Sequence, residues 1–219
     1  LISRVIQGMS LLLIAVTTLS LVSLKSPPQK KGQYLGWLNM INASGSALGG
    51  LISGYLLNFF GFSIPYGILI FLSITSALLV YFLVPPQKNQ KSSENGWSIK
   101  KLYTQKKFRI QLIFGTGFSF AKSIIIIFIP VYVYAVLHLS EIELGLIMTA
   151  RYASMALGQS FSGKLSDKWG RVPLIVSGGL LFSLATFLLP FQVTFWGIII
   201  ISILIGMADA LRVPASWGL

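Results

Sequence analysis

The chain has 219 residues, of which 54% are apolar and only 10% charged, and its 17 Lys plus Arg against 5 Asp plus Glu give a formal net charge of +12. A soluble domain carries about 25% charged residues, disorder needs low hydrophobicity, and a disulfide scaffold needs cysteine, which is absent. The charge excess alone would suggest nucleic acid as a partner, so the placement of the charges has to decide.

A hydrocarbon core of about 30 Å takes roughly 20 apolar residues of helix. Seven such runs occur, at 1–24, 37–59, 64–84, 109–137, 142–162, 172–190 and 195–219. Helix is expected because a lipid-facing segment must satisfy its own backbone groups, and the ten-residue alternation of a membrane barrel is missing. The first run contains Arg4 and Gln7 and has neither an initiator Met nor a basic n-region before it. The last run ends without a polar tail, so the chain is expected to be the middle of a longer membrane protein.

The second run is rich in glycine: Gly36, Gly45, Gly49, Gly50 and Gly54. The pairs Gly45/Gly49 and Gly50/Gly54 fit the small-xxx-small pattern that lets helix backbones approach closely. The third run is followed by the longest connection, 85–108, which opens with Pro85 and Pro86 and ends in WSIKKLYTQKKF. It predicts a linker between two bundles, and its last part is either a short interfacial helix on anionic lipid or a solvated basic stretch. Lys122 lies near the centre of the fourth run and Arg151 near the centre of the fifth. After the fifth comes Gly163-Lys164-Leu165-Ser166-Asp167-Lys168-Trp169-Gly170-Arg171, where glycines permit a short reversal. There Asp167 can complement a nearby helix N-terminus and Arg171 can pair with a carboxylate. The seventh run holds Asp209 and Arg212, three apart and therefore on one helical face.

Thirteen of the seventeen basic residues lie in the first, third and fifth connections or, as Arg109 does, at their edge, and the second, fourth and sixth contain none. This places loops 25–36, 85–108 and 163–171 on the cytoplasmic face. A nucleic-acid patch has no reason to skip every second loop, so that partner is set aside. His138, Tyr132, Tyr134 and Trp196 read as membrane-boundary residues.

The 163–171 segment resembles the G-x-L-[AS]-D-[RK]-x-G-R loop motif of the major facilitator superfamily, in the position of its second copy between helices 8 and 9. Arg4-Val5-Ile6-Gln7-Gly8 is similar to the R-x-x-Q-G motif of helix 4 in that family. The glycines of the second run resemble the helix 5 antiporter motif G-x8-G-x3-G-P-x2-G-G, except that Gly50 stands where Pro is expected and Ser53 where the first Gly of the closing pair is expected. The resemblance extends over the whole chain and implies helices 4 to 10 of a twelve- or fourteen-helix transporter: an all-α polytopic fold with 1–84 closing the N-terminal bundle, 85–108 a central linker and 109–219 opening the C-terminal bundle.

That resemblance implies alternating access around a midplane site, with a proton-coupling role for Arg4, Gln7 and Gly8 and a gating role for Gly163, Asp167, Lys168, Gly170 and Arg171. Ionisable residues inside the membrane are functional candidates by default, which singles out Lys122, Arg151, Asp209 and Arg212 as cavity or substrate residues. Their positive excess leans toward anionic or zwitterionic cargo, or toward a neutralising carboxylate in the absent helices 1 to 3. Proton-coupled export of a drug-like or metabolite solute is the leading expectation, and uptake or facilitated passage of a small nutrient or organic anion the alternative. An enzyme is disfavoured, since there is no clustered nucleophile, metal-ligand set or pair of acids. No cofactor or metal is expected. The partners expected are a small-molecule substrate, protons and the lipid bilayer of the cell membrane, for a monomeric parent.

Overall fold

The structure, a computed structural model, describes residues 2–27, 30–83 and 104–216. All seven apolar runs are helical: α1 (Ile2–Lys25), α2 (Lys31–Phe60), α3 (Ser63–Leu83), α4 (Lys106–Ala135), α5 (Glu141–Trp169), α6 (Arg171–Leu188) and α7 (Phe195–Ser216), with a 3-10 turn at Leu189–Phe191 between the last two. The predicted linker and its interfacial segment lie outside the described residues as far as residue 103.

The helices reach further than the apolar runs. The segment expected to be a loop at 163–171 is instead the last two turns of α5, and Gly170 alone stands outside a helix before α6 begins. Leu165, Lys168 and Trp169 carry no backbone penalty for helix, so the helix continues until a residue with φ of 85° ends it, a conformation suited to glycine. Gly61, at φ 64°, does the same between α2 and α3. At the first basic connection, α2 begins at Lys31, well before its apolar run.

Four stretches are long and apolar enough to cross a membrane on length and composition: Ser63–Phe82, Phe108–Ala135, Arg171–Phe191 and Phe195–Val213; a shorter apolar stretch covers Gly8–Leu24. α2 and α5, at 30 and 29 residues, are as long but more polar. Some of their small and polar residues, Gly36, Gly50, Thr149 and Gly163 among them, serve contacts between the two helices.

The chain divides into two compact units, one comprising Leu1–Ile52 with Glu143–Leu219 and the other Ser53–Ile142. In the first, α2 runs antiparallel to α5, since Gly36 meets Gln159 near one end and Ala47 meets Thr149 toward the other. α7 lies parallel to α5, with Ser154 and Ser162 donating to the carbonyls of Ile203 and Leu211. α6 packs antiparallel on α7 through Gly178, Ala208 and Arg212, and Leu174, Ile175 and Ala215 close its core. In the second unit α3 presents exposed Ile, Leu and Phe side chains along its length, while α4 buries Ile125, Ile129, Tyr132 and Val133. Tyr132, expected at the membrane boundary, is buried and stacks on Phe128. Tyr134 and Trp196 are exposed. His138 takes a φ of 51° in the turn after α4, where the amides of Leu137 and Leu139 donate to the carbonyls of Tyr132 and Val133.

Candidate functional site

Helices approach most closely where side chains are absent. A Cβ on Gly36 would stand 2.7 Å from the carbonyl oxygen of Gln159, and one on Gly163 would stand 2.5 Å from the carbonyl oxygen of Gly32. α2 and α5 are therefore in backbone contact at this end. The close approach brings the Asp167 carboxylate onto the first turn of α2, where Oδ1 accepts from the Gly32 amide and Oδ2 from the Gln33 amide, each at 3.1 Å. The first amides of a helix have no partner within it and carry the positive end of its dipole, so a carboxylate answers both needs. The helix-terminus contact anticipated for Asp167 is made. Arg171, anticipated to pair with a carboxylate, has no such partner among the described residues. Lys168 sits in the last turn of α5 and is exposed.

Further along the same pair of helices, the Thr149 hydroxyl lies 3.1 Å from the Ala47 carbonyl and 2.8 Å from that of Gly145 in its own helix. A Cβ on Gly50 would stand 3.2 Å from that hydroxyl oxygen. Gly45 and Gly49 behave differently, since a Cβ on either would meet nothing within 4 Å. Among the described residues close packing thus belongs to Gly50, as the spacing suggested, and to Gly36, which the spacing did not single out, and not to the Gly45/Gly49 pair. Gly54 is buried, and Gly8 has open space around its α-carbon. Arg4 and Gln7 lie on α1, with their side chains outside those described.

Three of the intramembrane charges, Arg151, Asp209 and Arg212, converge in the first unit. Arg151 Nη2 donates to Asp209 Oδ2 at 3.4 Å, and Arg212 Nη2 lies 3.8 Å from Asp209 Oδ1. Arg151 is 1% exposed and Asp209 0%. Spacing along α7 anticipated the Asp209–Arg212 pair, but nothing in the sequence joined Arg151 to it. The available signal was depth: at about 1.5 Å per residue, Arg151 stands some 15 Å into α5 and Asp209 about 21 Å into α7, and the two helices run in the same direction. What fixes the pairing is glycine again. A Cβ on Gly206 would collide with the Arg151 carbonyl oxygen and the Ser154 hydroxyl, and one on Gly158 would stand 2.6 Å from Ala210 Cβ.

Two further buried polar groups escaped the sequence reading. Gln159, beside the Gly36 contact, is 0% exposed, and neither atom of its amide group has a hydrogen-bond partner among the described residues. Ser202, seven residues before Asp209 and hence on the same face of α7, is equally buried. Among the described residues no group of His, Asp and Glu could hold a metal ion. Lys122 lies on α4 in the second unit and is half-buried.

Comparison with known proteins settles the kind of molecule this is. The family model described as Major Facilitator Superfamily matches residues 1–121 and 111–217. The chain belongs to the Major Facilitator Superfamily. An uncharacterized MFS-type transporter of Methanocaldococcus jannaschii, MJ1560, is 25% identical over 226 residues that take in all of this chain and 58% of that protein. The uncharacterized MFS-type transporter YuxJ of Bacillus subtilis is 39% identical over 66 residues, 30% of this chain and 17% of its own length. The chain thus spans little more than half the length of the first relative. Membership accounts for the apolar helices as those of a multi-pass membrane protein, and it gives the Asp167 contact and the buried charges a transporter family as their setting.

Proposed function

We propose that this chain belongs to a secondary active transporter that works by alternating access and couples export of a drug-like or metabolite solute to protons. In this reading α1 to α3 are helices 4 to 6 and α4 to α7 helices 7 to 10, residues 85–108 join the two bundles, and the basic connections 25–36, 85–108 and 163–171 face the cytoplasm of a monomer in the cell membrane. The observation that carries the reading is the hold of Asp167 on the Gly32 and Gln33 amides. It ties a motif at the end of α5 to the start of a helix from the far side of the linker, with no bulky side chain between them. A contact made of two hydrogen bonds and glycine backbones is one that rocking of the bundles would break and remake. Gly163, Lys168, Gly170 and Arg171 then belong to the gate, Arg4, Gln7 and Gly8 to proton coupling, and Gly36, Gly45, Gly49, Gly50 and Gly54 to the helix that moves against α5.

The alternative, uptake or facilitated passage of a small organic anion on the same fold, is favoured by one observation: two buried arginines share a single carboxylate. Reconstitution into vesicles with an imposed pH gradient separates the two. Solute moving against the inward flow of protons supports export, co-movement supports symport, and flux indifferent to the gradient would sink proton coupling in both.

A further inference from the structure

Among the described residues Asp209 is the only acid in the middle of a helix, Glu141 and Glu143 lying at the start of α5 and Asp167 in its last turn. Arg151 and Arg212 both turn to it, so the three side chains sum to +1 where α7 otherwise presents mostly Ile, Leu, Ala and Gly and α5 adds the uncharged polar side chains of Thr149, Ser154 and Gln159. A buried charge is tolerated when it is paired and hydrogen-bonded. Arg151 spends one nitrogen on Asp209, and its Nε and Nη1 are buried with no acceptor among the described residues. The Ser202 hydroxyl, also without a partner among them, lies on the α7 face that carries Asp209. A water molecule would satisfy hydrogen bonds but leave the charge. An anion answers both.

We propose that Arg151, held in place by Asp209, is the docking point for the anionic group of the cargo, a carboxylate or other singly charged oxyanion, with Nε and Nη1 as donors and Ser202 as the next donor along α7. The inference rests on the transporter reading and names its substrate class. α5 and α7 approach closely at Gly206 and Gly158, and donors held between closely packed helices gain affinity from preorganisation. With Arg151 at 1% exposure the site is closed in this conformation, and cargo enters or leaves when the covering helices move.

The test uses the protein expressed from its own gene, purified in detergent, with benzoate, its uncharged isostere benzamide, and chloride as probes at matched ionic strength, read by the shift in thermal unfolding midpoint. Benzoate is expected to raise the midpoint and benzamide not, with Arg151→Gln weakening benzoate about tenfold to a hundredfold, as for loss of a charged hydrogen bond. Arg151→Gln leaves the neutral Asp209–Arg212 pair and so removes the site without stranding a charge. Should that variant not fold, the preference of the wild-type protein for benzoate over benzamide decides alone. Equal response to both probes, or a benzoate shift that survives Arg151→Gln, overturns the proposal. A chloride shift equal to that of benzoate overturns it in favour of a resident small ion. Flux assays separate the two levels: transport without preference for anions sinks this inference and leaves the transporter, whereas benzoate binding with no flux of any solute sinks the transporter and leaves the site.

Discussion

Arg151 and Asp209, 58 residues apart in the chain, meet at 3.4 Å in a part of the molecule where neither is more than 1% exposed. Asp209 also serves Arg212 from the same helix, so one carboxylate anchors two guanidinium groups on two helices. The members of this cluster are therefore not equivalent.

Asp209→Asn takes from both arginines the carboxylate they share, and removing one partner of a buried pair costs about 3–5 kcal/mol. Arg151→Gln leaves Asp209 still paired with Arg212 and is expected to cost distinctly less. Unfolding of the purified variants by heat or by sodium dodecyl sulfate measures the order. Equal losses for the two would show that Asp209 does not hold both arginines at once.

Gly36 and Gly45 lie in the same helix and share a motif, yet opposite outcomes are expected of them. Gly36→Ala forces the α2 and α5 backbones apart at Gln159 and should cost about 1–3 kcal/mol, the range for overpacking. Gly45→Ala meets open space and should be neutral or add up to about 1 kcal/mol from helix propensity. Thermal melts of the two variants side by side are the measurement, and a destabilised Gly45→Ala would contradict the packing described.

At Gly206 a methyl group would run into the Arg151 carbonyl and the Ser154 hydroxyl, while at Gly179 it would meet nothing within 4 Å. Gly206→Ala should lower the unfolding midpoint by several degrees and weaken benzoate binding with it, because α7 must leave α5 and take Asp209 along. Gly179→Ala should change neither. Loss of stability with unchanged benzoate affinity would separate the helix contact from the charge cluster.

The chain has no cysteine, so an introduced pair reports its own proximity. Gln33→Cys with Lys164→Cys, next to the Gly32/Gly163 contact, is expected to form a disulfide readily with Asp167 intact. Asp167→Ala should slow that several-fold, and Asp167→Asn, which keeps an acceptor oxygen but loses the charge, should fall between. Rates that ignore residue 167 would show that its carboxylate does not hold the start of α2.

Much of this architecture was legible before any coordinates. Lipid requires long apolar helices, so composition fixes their number and approximate ends, and all seven runs are helical. The ends were less legible. Gly163 to Trp169 read as a loop because the stretch is polar, but polarity measures contact with water, not backbone conformation, and α5 continues to Gly170. Spacing within one helix was equally informative: Asp209 and Arg212, three apart, had to share a face. The ability of Asp167 to complement a helix terminus was visible from its chemistry; the choice of α2 was not.

What the sequence determined by itself was therefore what a single helix or a single loop determines: span, period, and the alternation of basic loops. What the tertiary structure alone decided was which helix meets which. That choice depends on where backbones can touch, so Gly36 proved a contact and Gly45 did not although both belong to one pattern, and Arg151 found its carboxylate in α7. Contacts between helices depend on which helices are neighbours and on their relative rotation, and residue spacing within one helix carries no information about either.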